Sequence, residues 1–200
     1  VATLTNRQRE IVELAIELIG NEGLSGLTMR RLSQVLGVSE PALYRHYENK
    51  TAILEAILSV LEAETYERLP LEANATPRAI VQHFARLFDL FTERPALATV
   101  VFLDEFSAAD PRITERVRGL LARNREHLSG ALAEIEKRRD RASGRRSSGI
   151  SGEEARARAT LLLGGVRLLV YEWRLDGCSW DLSERGRLLV RALFFEEEEI

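Results

Sequence analysis

Apolar residues recur at alternating three- and four-residue spacing along almost the whole chain, and no useful stretch alternates with the period of two that marks a strand. The first predicted helix runs from Thr5 to Glu22, with Ile11, Leu14, Ala15, Leu18 and Ile19 on one face. Thr5 and Gln8 stand at capping-box spacing and Gly23 terminates it. A short helix follows from Thr28 to Leu36, stopped by Gly37, and a second short one from Ser39 to Tyr47. Asn49 caps a longer helix expected to reach Arg68, ended by Pro70. Thr76–Thr92, Pro95–Ser107, Asp110–Arg139, Ser151–Leu175 and a last segment from Asp181 or Ser183 to Phe195 complete the pattern, with Pro77 and Pro111 suited to first helical turns. Nine helices and no sheet predict an all-α fold.

Two stretches leave the pattern. Lys137 to Gly149 reads KRRDRASGRRSSG, a basic Ser/Gly-rich tract read as a solvated loop, with contact to a nucleic-acid backbone as its other reading. The tail Glu196–Glu199 is four consecutive acids, expected to fray.

Composition changes the picture little. The 200 residues are 45% hydrophobic and 30% charged, the balance of an ordinary globular chain. The apolar run Ala96–Leu103 is far short of the roughly 20 residues needed to span a bilayer, and no secretory signal is read at the N-terminus. Since the chain begins with Val, a few leading residues are expected to precede it. The single cysteine, Cys178, excludes an intrachain disulfide and a multi-cysteine zinc site, and His83 and His127 lack metal-ligand spacing, so no metal and no cofactor are expected. There is no GxSxG elbow, no phosphate-cradling glycine loop and no HExxH, so no enzyme is expected either. Cys178, in the turn Asp176-Gly177-Cys178-Ser179-Trp180, is read as a packing residue. A net charge of −3 gives no hint of a nucleic-acid partner.

The stretch from Leu27 to Lys50, LTMRRLSQVLGVSEPALYRHYENK, argues otherwise. Two short helices meet across Gly37-Val38-Ser39, too tight a turn for side-by-side packing, with Ser33 small enough for a close crossing. Leu32, Leu36, Val38 and Leu43 are placed to share a core with the first helix. This is the layout of a helix-turn-helix, here about residues 28–47, whose second helix enters the DNA major groove by its N-terminal end. Thr28 offers a hydroxyl and helix-start N–H groups to a phosphate. Tyr44, His46 and Lys50 offer donors around the third helix, for which Ser39 is the N-cap. Glu40, Pro41, Ala42 and Arg45 occupy its exposed leading part, where Arg suits guanine, Glu suits cytosine N4, and Pro or Ala suits a thymine methyl. Tyr47 is read as packing and Tyr44 as a DNA contact.

From about Arg9 to Leu58 these residues resemble the DNA-binding domain of the tetracycline-repressor (TetR/AcrR) family of bacterial transcriptional regulators. The resemblance rests on Gly23, Leu27-Thr28, Gly37-Val38-Ser39, Leu43-Tyr44-Arg45-His46-Tyr47, Lys50 and Ile53-Leu54. The family pattern usually has Phe where Tyr47 stands and often Thr where Met29 stands; neither departure threatens the fold. The resemblance implies phosphate contacts from Thr28, Tyr44, His46 and Lys50, and base-facing roles for Arg30, Glu40, Pro41 and Arg45. It also implies two domains, residues 1–50 for DNA and 51–200 for effector binding and dimerisation. The partners so implied are a pseudo-palindromic double-stranded operator, a second copy of the chain and a small-molecule effector. Localisation would be cytoplasmic, on the bacterial nucleoid.

Beyond the helix-turn-helix, Thr160–Val170 is apolar with Gly164-Gly165 permitting close helix approach, and the last helix has a broad apolar surface. Leu161, Gly164, Gly165, Leu168, Leu189 and Leu193 are the candidate dimer face. His83, Phe84, Leu87, Phe88, Phe91, Phe102 and Phe106 form an aromatic stripe with two open readings, plain core or the lining of an apolar ligand pocket. Two functions follow from the resemblance: a dimeric repressor released by a small molecule or, since Thr99 through Pro111 is also similar to nucleoid-occlusion factors of that family, a DNA-binding factor whose C-terminal domain holds a protein partner. The charge then sharpens the expectation. Residues 1–50 hold six basic side chains (Arg7, Arg9, Arg30, Arg31, Arg45, Lys50) and six acidic ones (Glu10, Glu13, Glu17, Glu22, Glu40, Glu48). With no excess, affinity is expected to come from two half-sites and a few placed contacts.

Overall fold

The computed structural model describes residues 4–67, 76–142 and 149–194, and among these there are ten α-helices and no strand. They are α1 (Asn6–Gly26), α2 (Met29–Leu36), α3 (Glu40–Tyr44), α4 (Lys50–Glu62), α5 (Pro77–Glu93), α6 (Pro95–Phe102), α7 (Asp104–Ser107), α8 (Pro111–Ala142), α9 (Gly152–Leu175) and α10 (Leu182–Phe194). The all-α expectation holds, with one more helix than expected because Pro95–Ser107 is split. Leu103 takes extended backbone (φ −79°, ψ 111°) between α6 and α7, with no glycine or proline to announce the break, and Phe106 beyond it is buried. The expected end of the fourth helix at Arg68 and Pro70, the basic-loop residues 143–148, Phe195, the acidic tail and the side chain of Leu193 lie outside the described residues.

Locally encoded helix starts form as their residues dictate. Thr5 and Gln8 make both halves of a capping box. Thr28, Asn49 and Ser151 accept from the backbone N–H three residues on, at 3.0, 2.9 and 3.1 Å. Gly37, at φ 67°, takes the left-handed conformation that stops α2.

By internal contacts the chain groups into two compact units. The first comprises Val1–Glu64 and Arg94–Arg118. Ile11, Val12, Ala15 and Ile19 of α1, Leu32 of α2, Leu43 of α3, and Ile53, Leu54 and Ile57 of α4 are all buried in it. It extends past residue 50 because α4 is both buried and polar-clamped. Asp110 accepts from the Thr51 hydroxyl, and the Arg116 guanidinium donates to the Glu55 carbonyl and the Ser59 hydroxyl and pairs with Glu62. Just beyond Glu62 the α-helix gives way to one π-helical turn, Ala63–Glu67, which keeps the chain helical up to the last described residue before Arg68.

The second unit comprises Thr65–Glu93 and Gly119–Ile200. Phe84, Phe88 and Phe91 of α5 are buried with Leu128 and Leu132 of α8, Leu162, Val166, Val170 and Trp173 of α9, and Leu182 and Val190 of α10. Gly186 is what lets α5 and α10 approach: a Cβ there would sit 2.1 Å from the Phe88 ring. The Ser183 hydroxyl donates to Asp89 across the same seam. Arg156 and Arg158 of α9 reach Glu126 and Glu136 of α8 at 3.0 and 2.8 Å.

Candidate nucleic-acid interface

Around the α2–α3 turn most apolar positions face inward, Val35 excepted, and leave a largely polar surface. Leu32, Ser33, Leu43 and Tyr47 are buried, whereas Thr28, Arg30, Ser39, Pro41, Tyr44, Arg45 and His46 are exposed and Glu40 and Ala42 half-buried. Ser33 is accommodated by donating its hydroxyl to the Arg30 carbonyl at 2.8 Å. Tyr44 keeps 47% of its surface open, which is what a base- or backbone-reading ring requires. Tyr47 turns the other way. Its hydroxyl donates to the Gln8 carbonyl at 3.3 Å, and burial pushes its pKa up to about 12.

Helix α3 ends at Tyr44, three residues before the expected Tyr47, because the chain leaves the helix to bring Tyr47 under α1. Gln8, in the same position to hold the other strand of this turn, donates from Nε2 to the His46 carbonyl at 3.5 Å. The sequence marked Gln8 as a capping residue only; nothing local tells that it also braces the end of the recognition helix.

At the start of α2, Thr28 Oγ1 accepts from Arg31 N at 3.0 Å. That leaves the N–H groups of Met29 and Arg30 without an acceptor inside the helix, on its positive end. Lys50 is less open than expected. Its Nζ donates to the Leu24 carbonyl at 2.9 Å and burial lowers its pKa, so it ties the start of α4 to the end of α1 with its remaining N–H groups left for a phosphate. Three of the six acids in residues 1–50 are already paired. Glu10 meets Arg7 at 2.5 Å, Glu22 meets Arg31 at 2.6 Å, and Glu13 meets Arg94.

The other predicted residues fall in two places. His83, Phe84, Leu87, Phe88 and Phe91 all lie on α5 in the second unit, where the His83 and Phe84 rings meet edge-on at 5.2 Å and Phe88 packs on Gly186. Phe102 and Phe106 belong to the first unit. On α9, Leu161, Gly164 and Leu168 face outward; Gly165 and, on α10, Leu189 turn partly inward. The outward row continues through Tyr171 and Leu175, two positions that the apolar run in the sequence does not reach, and Leu188, part of the apolar surface expected on the last helix, is exposed too.

The sequence profile of bacterial regulatory proteins of the tetR family matches residues 11–57, from the second turn of α1 into α4. The nucleoid occlusion factor SlmA of Vibrio campbellii is 30% identical over 134 residues, covering 65% of this chain and 68% of that protein. The chain belongs to the tetR family of bacterial regulatory proteins. Within the family it is also similar to the class C tetracycline repressor of Escherichia coli, at 47% identity over 55 residues. That match covers 27% of this tetR-family chain, and the chain spans 25% of the repressor's length, against 36% for the class A repressor. The fold is shared over the full length. The fatty acid degradation regulator FadR of Bacillus halodurans superposes with a TM-score of 0.77 over 99% of this chain and 100% of its own, at 15% identity. Among the described residues no helix is long and apolar enough to cross a membrane.

Proposed function

We propose that the protein is a dimeric, sequence-specific DNA-binding regulator that represses transcription until a small molecule releases it. The observation that carries this reading is the α2–α3 face. Arg30 and Arg45 stand exposed on it with no ion pair among the described residues, beside the open α2 start and the exposed Tyr44, over the buried apolar residues Leu32 and Leu43. Unneutralised guanidinium groups on a rigid support are the equipment of phosphate and guanine contact. Thr28, Tyr44, His46 and Lys50 hold the backbone in this reading; Arg30, Ser39, Glu40, Pro41, Ala42 and Arg45 face the bases.

The α9 row supports the second copy. Leu161, Gly164, Leu168, Tyr171 and Leu175 follow one another at alternating three- and four-residue steps, the spacing of a seam between helices. The four larger side chains are 56–68% exposed, too much for apolar groups with no partner. Two such seams joined would bring two recognition helices into one assembly. The effector would bind in the second unit, near the α5 aromatic residues, and act through different affinities for two conformations. The protein works on the bacterial nucleoid, in the cytoplasm.

Selection of bound duplexes from a random pool, with and without small apolar candidates, tests the reading. A pseudo-palindrome with half-sites about one helical turn apart, or a multiple of it, is expected. A first candidate is stearoyl-CoA, present with the FadR of Bacillus subtilis, which shares this fold at a TM-score of 0.74. Recovery of no common sequence would overturn the reading. A second reading, nucleoid occlusion, is favoured by the length of the SlmA match, which runs far beyond the DNA-binding segment. Capture of a cell-division protein by the second unit, with no thermal shift from any small ligand, would decide for it.

A further inference from the structure

Gly23 breaks α1 at φ 72°, so its last turn doubles back and the Glu22 carboxylate faces the start of α2. There Arg31 grips it as a fork. Arg31 Nε donates to Glu22 Oε1 and Oε2 at 3.2 and 3.4 Å, and one of its Nη atoms donates to Oε1 at 2.6 Å. The room for this is made by Gly26, where a Cβ would lie 2.4 Å from Glu22 Cβ and 3.1 Å from Oε2. Arg31 sits in the first turn of α2, its own N–H capped by Thr28, so its charge opposes the helix dipole unless something compensates. Hydrogen bonding to Arg31 holds the Glu22 carboxyl below its ordinary value and raises the guanidinium correspondingly. Arg30, its neighbour in the chain, is exposed and makes no ion pair among the described residues. Of two adjacent arginines at the phosphate-facing end of α2, one is tethered and one is not.

We propose that Glu22 holds Arg31 away from the DNA backbone and so acts as a brake on sequence-independent binding. The proposal rests on the DNA-binding reading above. Each phosphate neutralised by a basic side chain adds about one unit to the slope of log K against log salt, and such contacts supply most of non-specific affinity. Holding Arg31 back removes one such contact from every sequence alike, while the contacts that discriminate between sequences are untouched.

Fluorescence anisotropy of a labelled mixed-sequence duplex over a salt series, with the full chain, reads this directly. Glu22→Gln is expected to tighten binding several-fold at low salt and to steepen the slope by about one unit. Arg31→Gln, and the double variant, are expected to keep the wild-type slope. Thermal melting run in parallel accounts for the lost ion pair, which lowers both single variants alike but steepens no slope; Glu22→Ala serves if Glu22→Gln melts too early. A flattened slope in Arg31→Gln overturns the proposal, since Arg31 would already hold a phosphate. An unchanged slope in Glu22→Gln overturns it too, since a released Arg31 would not reach the DNA. If the wild-type chain binds no duplex at any salt, the DNA-binding reading falls and the proposal with it; if it binds and only the variants fail to differ, the tether alone falls.

Discussion

The α2–α3 face and the α9 face are both open to solvent, yet they are built in opposite ways. On α2–α3 most apolar positions are turned inward, down to Tyr47, and what remains outside is mainly polar, Thr28, Arg30, Arg45 and His46, with Val35 and Tyr44 as the apolar exceptions. On α9 the inward side is equally full, with Leu162, Val166, Val170 and Trp173 buried, and a second apolar row is left outside at Leu161, Leu168, Tyr171 and Leu175. Water suits the first surface and any anion suits it better; water suits the second poorly, and a like surface suits it well. Exposure by itself therefore says little. The chemistry of what is exposed, set against a core that is already complete, is what separates a nucleic-acid face from a subunit face.

The most disruptive way to break this comparison is to make α9 resemble α2. Leu168→Glu places a charge in the middle of the seam while leaving the interior row untouched, so the monomer is expected to keep its helicity, with a thermal midpoint that no longer rises with protein concentration. Sedimentation is expected to show a monomer, and operator affinity to fall about 100-fold or more, some 2.7 kcal/mol, because one half-site must then bind alone. A Leu168→Glu variant that stays dimeric would place the subunit contact elsewhere. Next in size is Arg45→Ala on the other face. It is expected to cost about 1–3 kcal/mol on the selected sequence and to relax preference at one base pair. A uniform loss on all sequences would make Arg45 a phosphate contact instead. Thr28→Ala comes third. It removes the cap of α2 at about 1 kcal/mol of stability and weakens all duplexes alike, readable as a lower melting midpoint with unchanged base preference.

These sizes follow features with different legibility in the sequence. The helix starts at Thr5, Thr28, Asn49 and Ser151 were legible because a cap needs only a residue and its neighbour three positions on. The Gly37 turn and the burial of Leu32 and Leu43 were legible for the same reason: period and turn chemistry are local. The break at Leu103 was not, since no glycine or proline marks it, nor was the π-helical turn Ala63–Glu67 that follows α4. The site divides the same way. Which side chains are exposed on α2 and α3 follows from periodicity. That Lys50 lies on the Leu24 carbonyl, and that Arg31 is held by Glu22, depends on how the chain doubles back after Gly23, and opposite charges nine positions apart announce nothing. The α9 row was half seen: Leu161, Gly164 and Leu168 came from the apolar run, but Tyr171 and Leu175 lie past it, beyond the stretch where apolar density draws attention.

The smallest expected effect tests the inward boundary of the polar face. Tyr47 carries a hydroxyl where the family pattern usually has Phe, and that hydroxyl donates to the Gln8 carbonyl under α1. Burial raises its pKa from 10.0 to about 12 in the folded protein, so the fold favours the protonated phenol. The sign follows from linkage: this contribution is fully present below about pH 10 and is lost as pH rises through about 12. Tyr47→Phe is therefore expected to cost no more than about 0.5–1.5 kcal/mol at neutral pH, the net worth of one hydrogen bond, and to make stability less sensitive to pH above about 10. Denaturant melts of both proteins at neutral and alkaline pH measure this, and the salt slope of DNA binding is expected to be the same for the two. A loss of affinity for all duplexes alike in Tyr47→Phe, beyond what its melting accounts for, would put this hydroxyl on a phosphate, and the division between a packed interior and a polar reading surface would have to be redrawn through α3 itself.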